Sequence, residues 1–383
     1  MLRPGLAQEP EGASIEPSLE LAGDASSMVA TASHLDLGMS ATAGSSIRSL
    51  SDRWPEDLVI APIPGRSPQL GWMLSLAGGY FLERKDEESA AKPSVIGGFG
   101  MASENGSYAY GGGANLHLLD DRLRIKAGAA YFDIRYRYYG TGVANDLGVG
   151  VELLQEAPLY FTEGTWRLWN QLYVGLGLLG GNVDTRPRIA IDESPFLAPS
   201  LNVDIAAWSL PIQYDSRDSE TYPRRGWLVT GRAMNYRKSL GSDFDAETFK
   251  LAVNRYMTVR DRDVLAVRGM IRATNGDAPS FLQSTFGGKT DLRGYPSGRF
   301  RDRMMYALQG EYRWQVSDRW VFTGFAGFGE VADSFGDMGE NVLPAAGMGA
   351  RFILSTKHEV GLSADFAVGN DGAEFYFGVG EAF

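Results

Sequence analysis

The sequence contains no cysteine among its 383 residues and no run of about 18 predominantly apolar residues. The first absence excludes disulfide bonds, thiolate chemistry and cysteine-ligated zinc, and it suits a protein that crosses an oxidising periplasm. The second argues against a transmembrane helix. Basic clusters are also absent, and the formal net charge is -11. Nucleic acid is therefore not expected as a partner, because a phosphate-binding surface needs clustered Lys and Arg.

Recognisable catalytic chemistry is equally scarce. The three histidines, His34, His117 and His358, share no ligand spacing. The sequence has neither a Gly-x-Ser-x-Gly elbow nor a P-loop. Asp215, Asp218 and Glu220 could bind calcium, although a solvated turn explains them better. We therefore expect no enzyme, no resident metal and no cofactor.

The N-terminal region differs from the rest of the chain. Residues 1–55 are rich in Ser, Ala, Gly and Thr and show little periodicity, so they are interpreted as a disordered tail. Pro4-Gly5-Leu6-Ala7 before Gln8-Glu9 is typical of the end of a signal peptide, and an ordinary tail is the alternative. Residues 56–383 are assigned to one folded domain.

From about Leu70 onward the sequence repeats one unit, in which 10 to 14 alternating apolar and polar residues precede a turn. The clearest instance is Tyr306 to Val316. One face of that strand carries Tyr306, Leu308, Gly310, Tyr312, Trp314 and Val316, and the other carries Ala307, Gln309, Glu311, Arg313 and Gln315. A helix could not separate these two sets.

Fifteen such segments are visible, among them Gly148–Tyr160 and Trp166–Leu178. Closure of a bacterial barrel favours an even number of strands, so we expect a sixteenth, either between about Met28 and Ile63 or between Asn182 and Ser200. The strands are about twice as long as those of a soluble β-sandwich, which is the alternative, and they suit tilted spans of a bilayer. The predicted fold is a sixteen-stranded antiparallel transmembrane β-barrel.

Several glycines lie on the predicted inward face. Gly347, Gly349, Gly378 and Gly380 would leave room for a loop to enter the lumen, or would only ease curvature. Some thirty residues without periodicity lie between Ala273 and Met304, and a loop of that length in a compact fold is usually functional. This loop contains Gly287-Gly288 and then Leu292-Arg293-Gly294-Tyr295.

These loop residues resemble the barrel of the BamA/TamA (bacterial surface antigen) family, whose inward loop carries a Val/Ile-Arg-Gly-Phe/Tyr motif after a Gly-Gly pair. Five predicted strands follow the loop, as they do in that family. The resemblance covers roughly Asn202 to Phe383. It implies a barrel whose long loop is folded into the lumen, and the short N-terminal tail implies a barrel-only member without POTRA modules.

Two further motifs are similar to features of the same family. One motif, similar to the family's periplasmic turn, consists of Asp215, Arg217, Asp218, Pro223 and Gly226. The other, similar to the C-terminal signal that the barrel-assembly machinery reads in that family, consists of Phe375, Phe377, Val379 and Phe383.

An arginine inside a lumen requires a carboxylate partner. Glu311, inward by parity on the next strand, is the candidate partner of Arg293, and a solvent-facing arginine is the alternative. The family usually offers a second acid in a Phe-x-Asp-x-Gly pattern, but Gly327 occupies that position here. Glu311 is therefore expected to be the main partner, and to lock the loop inside the barrel.

The resemblance implies a Gram-negative outer-membrane location and a role in membrane biogenesis, by insertion or translocation of protein or lipid. The alternative is a pore or structural barrel without insertase activity. The expected partners are outer-membrane lipid and lipopolysaccharide, the assembly machinery that inserts the barrel, and client outer-membrane proteins.

Overall fold

The protein folds into a closed antiparallel β-barrel of sixteen strands. The computed structural model describes residues 58–67, 69–82, 94–138, 151–191, 194–197, 201–219, 222–260, 262–355 and 360–383. The predicted tail lies outside the described residues, as do His34, Glu220 and His358. Among the described residues, no helix has the length and apolar character needed to cross a bilayer.

The described strands number nineteen, of which three are short and lie outside the barrel wall. Their bounds are β1 Leu58–Ser67, β2 Gly71–Leu82, β3 Ser94–Ser103, β4 Tyr108–Leu118, β5 Leu123–Tyr138, β6 Val151–Trp169, β7 Leu172–Ile191, β8 Ser194–Leu197, β9 Leu201–Asp215, β10 Gly226–Tyr236, β11 Ala246–Thr258, β12 Val264–Gly276, β13 Ser284–Phe286, β14 Phe300–Asp302, β15 Met304–Gln315, β16 Trp320–Ala332, β17 Leu343–Ser355, β18 Val360–Gly369 and β19 Gly372–Val379. Each barrel strand pairs with the next, and β1 also pairs with β19 to close the wall.

The predicted strand number is confirmed, and the missing strand is β1, which overlaps the first of the two predicted intervals. In its described part, the second interval contains the end of β7 and the short strand β8, which pairs with it and does not span the wall. The five strands expected after the long loop are present as β15 to β19. The predicted strand Trp166–Leu178 is wrong, because a turn at Asn170-Gln171 divides it between β6 and β7.

The barrel is apolar on its outer face and polar within. On β15, Leu308 and Trp314 are exposed, whereas Gln309, Glu311 and Arg313 are buried. A soluble protein places these residue types the other way round. The outward rows therefore suit lipid tails, and the inward charges require partners inside the lumen.

The lumen also contains an apolar cluster toward one end. Strands β6 and β7 have 19 and 20 residues, more than the roughly 9–11 that a tilted transmembrane strand needs. Their inner faces pack with residues of the β10–β11 and β12–β15 loops. The cluster includes Phe132, Ile134, Tyr136, Leu153, Leu159, Val183, Tyr236, Phe244, Phe281 and Leu282.

Candidate functional site

The β12–β15 loop, residues 277–303, is folded into the barrel. Its short strands β13 and β14 pair with each other, with Phe286 opposite Phe300. Two glycines then turn the chain. Gly287 has φ +115°, and a Cβ there would lie 2.4 Å from the Pro296 carbonyl oxygen. Gly288 has φ +86°, and its N–H donates to the Tyr295 carbonyl oxygen at 2.9 Å, which closes the tip of the loop.

Arg293 is fully buried and contacts two carboxylates of the barrel wall. Its Nη2 lies 2.7 Å from Glu311 Oε2, and its Nη1 lies 3.0 Å from Asp365 Oδ2. Among the described residues, neither atom of the Glu311 contact makes a directed hydrogen bond, so this contact is a close ion pair. Arg293 also donates from Nε to Gln309 Oε1 at 3.3 Å, and its guanidinium stacks 3.4 Å from the centre of the Phe325 ring.

Glu311 lies against Arg293 as the sequence predicts, and Asp365 on β18 supplies a second carboxylate that the sequence analysis did not name. The position of Gly327 explains why it does not come from β16. A Cβ at Gly327 would lie 2.7 Å from Leu292 Cδ1 and 2.4 Å from the Leu308 carbonyl oxygen. Leu292, which stands where the family motif has Val or Ile, therefore occupies the space that an acid at position 327 would need.

The charges around Arg293 form a balanced buried network of three arginines and three carboxylates. Glu311 Oε1 accepts from Arg313 Nε at 2.7 Å. Asp365 Oδ1 accepts from Arg351 Nη1 at 2.5 Å. Glu381 Oε2 lies 2.9 Å from Arg351 Nε and 3.6 Å from Arg313 Nε. Burial of these ions costs desolvation energy that only mutual pairing offsets, so the network tolerates the loss of a member poorly.

Gly294 and Tyr295 hold the loop against β17, β18 and β19. Gly294 has φ +117°, and a Cβ there would meet Ala345 Cβ at 3.0 Å, so only glycine fits. Its N–H donates to the Tyr376 hydroxyl at 3.1 Å. The Tyr295 hydroxyl donates to the Pro344 carbonyl oxygen at 2.7 Å and accepts from the Asn370 N–H at 3.1 Å.

The inward glycines accommodate large side chains of this site. A Cβ at Gly369 would lie 2.6 Å from Tyr295 Cζ, and one at Gly347 would lie 2.5 Å from Phe325 Cζ. Gly349 leaves room for Asp365. Gly378 faces Lys289 of the loop, whose Nζ would be 3.4 Å from an added Cβ. Of these four, Gly369 and Gly378 admit the loop, and Gly347 and Gly349 admit strand side chains that contact it.

The residues of the predicted periplasmic turn motif lie at the β9–β10 turn, and the motif reaches the network through Arg313. Arg217 donates from Nε and Nη2 to the two carboxylate oxygens of Asp215 at 2.9 and 2.8 Å. Asp218 Oδ1 accepts the backbone N–H groups of Arg224 and Arg225. Gly226 turns the chain with φ +106°. The Pro223 carbonyl oxygen accepts from Arg313 Nη1 at 3.5 Å.

The last residues do not continue the outward row that the sequence predicts. Phe375 is exposed, and the centre of the Phe377 ring lies 6.2 Å from that of Trp72 on the outer face. The side chain of Val379 lies outside the described part of the structure. At Gly380, with φ +75°, the chain turns inward, and the Phe383 carbonyl oxygen accepts from Arg313 Nη2 at 2.9 Å. Phe383 thus belongs to the lumenal end of the network.

The first and last strands meet at a short contact, which we call the seam. The one register pair described between β1 and β19 is Arg66 with Phe377. By contrast, the β18–β19 register runs from Leu362–Val379 to Gly369–Gly372 without a break. Lys289 Nζ donates to Ser363 Oγ at 2.9 Å and to the Gly380 carbonyl oxygen at 3.5 Å. The loop therefore contacts the segment where β19 ends beside the seam.

A second polar cluster lies at the β4–β5 turn. Leu119, Asp120 and Asp121 all have positive φ. Asp121 accepts from Arg124, His117 and the Tyr173 hydroxyl. Burial favours the neutral acid, but these hydrogen bonds outweigh it and hold the pKa of Asp121 well below its ordinary range. Within the described part of the chain, no three His, Cys, Asp or Glu side chains are placed to hold a metal ion.

Sequence reasoning missed Asp365, Arg351 and Glu381. Asp365 and Arg351 lie at inward positions of strands with clear alternation, so parity alone could have marked them as lumenal charges. Parity could not show that these side chains contact Arg293, because their positions relative to the loop depend on the register of four consecutive strands. Glu381 gave no signal, since it lies beyond the turn at Gly380.

Comparisons with known proteins agree with this architecture. The model of the Omp85 superfamily domain matches residues 135–383, which is more than half of the chain. No protein with a curated description matches the sequence significantly.

Solved structures give the same fold at low sequence identity. BamA from Haemophilus ducreyi lacking POTRA domains 1-3 is similar with a TM-score of 0.59 and 14% identity, over 84% of this chain and 70% of that one. CdiB from Acinetobacter baumannii has a TM-score of 0.54 and 12% identity, over 84% of this chain and 59% of that one. CdiB from Escherichia coli has a TM-score of 0.55 and 11% identity, over 84% and 62%. The chain thus spans less than two-thirds of either CdiB.

Proposed function

This chain belongs to the Omp85 superfamily, and from that membership we propose that it acts in outer-membrane biogenesis, as a barrel whose seam opens to pass an amphipathic client between lumen and bilayer. The location that goes with this role is the outer membrane of a Gram-negative bacterium. Lipid and lipopolysaccharide would then surround the apolar outer rows, and the assembly machinery would read the C-terminal row for the barrel's own insertion.

The observation that carries the proposal is the contrast between the seam and the rest of the wall. Among the described residues, β1 and β19 share one register pair, Arg66 with Phe377, whereas the neighbouring β1–β2 ladder has ten consecutive pairs, from Leu58–Tyr80 to Ser67–Gly71. Because each strand pair is stabilised by its cross-strand bonds and contacts, the seam is the place where the wall opens at least cost.

The loop motif supports a control role in the same proposal. Arg293 connects the loop to Asp365 on β18, and Lys289 connects it to Gly380 at the end of β19. Glu381, one residue further, pairs with Arg351 and so ties the end of β19 to the Arg293 network. In this proposal the anchored loop sets the position of the last strand and thereby the width of the seam.

A disulfide across the seam tests the proposal. Arg66→Cys with Phe377→Cys places two thiols on directly opposed residues, within the range that a disulfide spans, and no native cysteine competes. The matched control is Leu308→Cys with Phe328→Cys, an opposed pair on β15 and β16 away from the seam. Two readouts in liposomes are the folding of another barrel protein and the flipping of a fluorescent phospholipid between leaflets.

We expect the oxidised seam variant to lose at least one of these activities and to regain it on reduction, while the control variant keeps it in both states. Unchanged activities in the oxidised seam variant would refute a role for seam opening. Ion conductance without either activity would favour the alternative function, a pore without insertase activity.

A further inference from the structure

The seam edge of β1 carries two prolines, Pro62 and Pro64, and their positions decide which side of the strand lacks hydrogen-bond donors. Arg66 Nη1 donates to the Phe375 carbonyl oxygen at 3.2 Å, so that carbonyl points toward β1. Bonding direction alternates along a strand, so Phe377, two residues on, faces β1 as well. Its partner Arg66 then faces β19, and so do the other even-numbered residues of β1.

Pro62 and Pro64 are even-numbered, so the backbone positions at which they lack an N–H group face the seam. The uninterrupted β1–β2 ladder agrees with this direction, because a proline within it would remove a bond on that side. Pairing beyond Arg66 would next require a donor at position 64, and proline has none. The β1 sequence thus explains why no further pair is described on the side of Arg66 that contains Pro62 and Pro64.

The β19 edge is blunted in a different way. The Phe375 carbonyl oxygen is already capped by the Arg66 guanidinium. After Val379 the chain leaves the wall at Gly380, whose N–H donates to the Gly361 carbonyl oxygen at 2.8 Å. Strand addition needs a row of free donors and acceptors on an exposed edge. The β1 edge of this seam lacks such a row, because it has no donor at position 62 or 64.

Beside the seam, the outer face of β1, β2 and β3 carries an apolar groove of about 410 Å³. Its floor is made of glycines, because Gly78 lies opposite Gly98 and Gly98 lies opposite Gly112 on the outward row of β2, β3 and β4. The described lining contains no charged residue. It consists of Leu58, Ile60, Leu76, Gly78, Gly79, Tyr80, Ile96, Gly97, Gly98, Phe99 and Gly100.

We infer that the client admitted at this seam is a membrane lipid, whose acyl chain lies in the groove before the seam opens, and that it is not a β-strand of another barrel. The inference rests on the proposed function and assigns its substrate class. The groove is continuous with the lipid-facing rows, it has the size of a small-molecule site, and its walls offer only apolar contact. The adjoining β1 edge lacks two of the backbone donors that pairing with a client strand requires.

Variants that fill the groove distinguish a lipid client from a client strand. Gly100→Phe projects into the groove, where a Cβ at Gly100 meets nothing within 4 Å. Gly324→Phe is the matched control, since Gly324 is an exposed glycine of β16 where a Cβ also meets nothing within 4 Å. Ile60→Trp fills the groove from β1 and guards against a defect peculiar to Gly100→Phe. Heat-modifiable gel mobility establishes that each variant is folded.

The probes are a spin-labelled phosphatidylcholine, whose motionally restricted fraction reports bound acyl chain, and the lipid-flipping assay. We expect Gly100→Phe and Ile60→Trp to lower the restricted fraction and the flipping rate at least threefold, and Gly324→Phe to change neither. Unchanged values in folded groove variants would overturn the inference. If the seam disulfide nevertheless stopped client transfer, the proposed function would survive. Flipping that persists with the disulfide closed would refute the lipid inference, and it would refute the proposed function as well if the folding of another barrel protein also persisted.

Restoring the donors provides the second arm. In Pro62→Val/Pro64→Val both backbone N–H groups are restored. We therefore expect β1 and β19 to form further hydrogen bonds and the rate of lipid flipping to fall at least threefold. A photoreactive residue at position 62 in the otherwise unchanged chain is expected to crosslink to lipid. A crosslink to the strand of a folding client barrel would overturn the lipid assignment.

Discussion

Breaking the contact between Arg293 and Glu311 should cost several kilocalories per mole, because both side chains are completely buried and lie 2.7 Å apart. Removing one partner of a buried ion pair costs about 3–5 kcal/mol. In Arg293→Met, Glu311 keeps Arg313 at 2.7 Å and Asp365 keeps Arg351 at 2.5 Å. We therefore expect the lower end of that range, about 3 kcal/mol.

Glu311→Gln should cost a similar amount, since Arg313 then retains only Glu381 at 3.6 Å as a carboxylate partner among its described ion pairs. The two changes share one contact, so the double variant should cost about 1–3 kcal/mol less than the sum of the single variants. Urea unfolding of the liposome-folded barrel, followed by tryptophan fluorescence and extrapolated to water, measures all three free energies.

The matched control is the Arg303–Asp333 pair, with a 3.3 Å contact between side chains that are 58% and 70% exposed. An exposed pair contributes about 1 kcal/mol or less, so Arg303→Met and Asp333→Asn should have small and nearly additive effects. Additivity within about 0.5 kcal/mol for Arg293 and Glu311 would refute the argument that this pair anchors the loop.

Three further outcomes follow from the site. Gly294→Ala should expose the loop to protease, because it combines φ +117° with a 3.0 Å approach to Ala345, whereas Gly339→Ala, with φ +99° and no atom within 4 Å, should leave the loop protected. Tyr295→Phe should lower the free energy of unfolding by about 1–3 kcal/mol in the urea assay, since the Pro344 carbonyl and Asn370 N–H both lose a partner. Asp121→Asn should destabilise the barrel at neutral pH. The lowered pKa means that the wild-type advantage is complete above about pH 4 and declines as the pH falls further toward the folded-state pKa, so unfolding measured from pH 7 to pH 2 should show the two proteins converging.

Most of the barrel could be predicted from the sequence, because alternation with a period of two reports directly which residues face lipid. The turn at Asn170-Gln171 escaped detection for a related reason. A turn of two residues pairs Trp169 with Leu172 and would by itself exchange the outward parity, but the register shift between Arg167 and Trp169 restores it. Trp166 and Leu168 before the turn and Leu176 and Leu178 after it therefore all occupy even, exposed positions. The alternation therefore continues through the hairpin as if it were one strand.

Strand β1 was hard to place because Pro62 and Pro64 read as strand breakers. They are compatible with this strand because the positions that lack an N–H group face β19 and not the continuous ladder with β2. The Arg293–Glu311 contact could be predicted because the two residues lie on the loop and on the strand that directly follows it. Asp365 could not, since its approach to Arg293 depends on the accumulated register from β15 to β18.

The most direct test of the account is the environment of alternate residues on β15. Single cysteines at positions 307 to 312, carried by a chain without native cysteine, can be spin-labelled in liposomes and exposed in turn to oxygen and to a water-soluble nickel complex. The account predicts strong oxygen collision at Leu308, Gly310 and Tyr312, and weak collision with either reagent at Ala307, Gln309 and Glu311. Preferential nickel collision at the even positions would contradict it, because those residues would then face water instead of lipid.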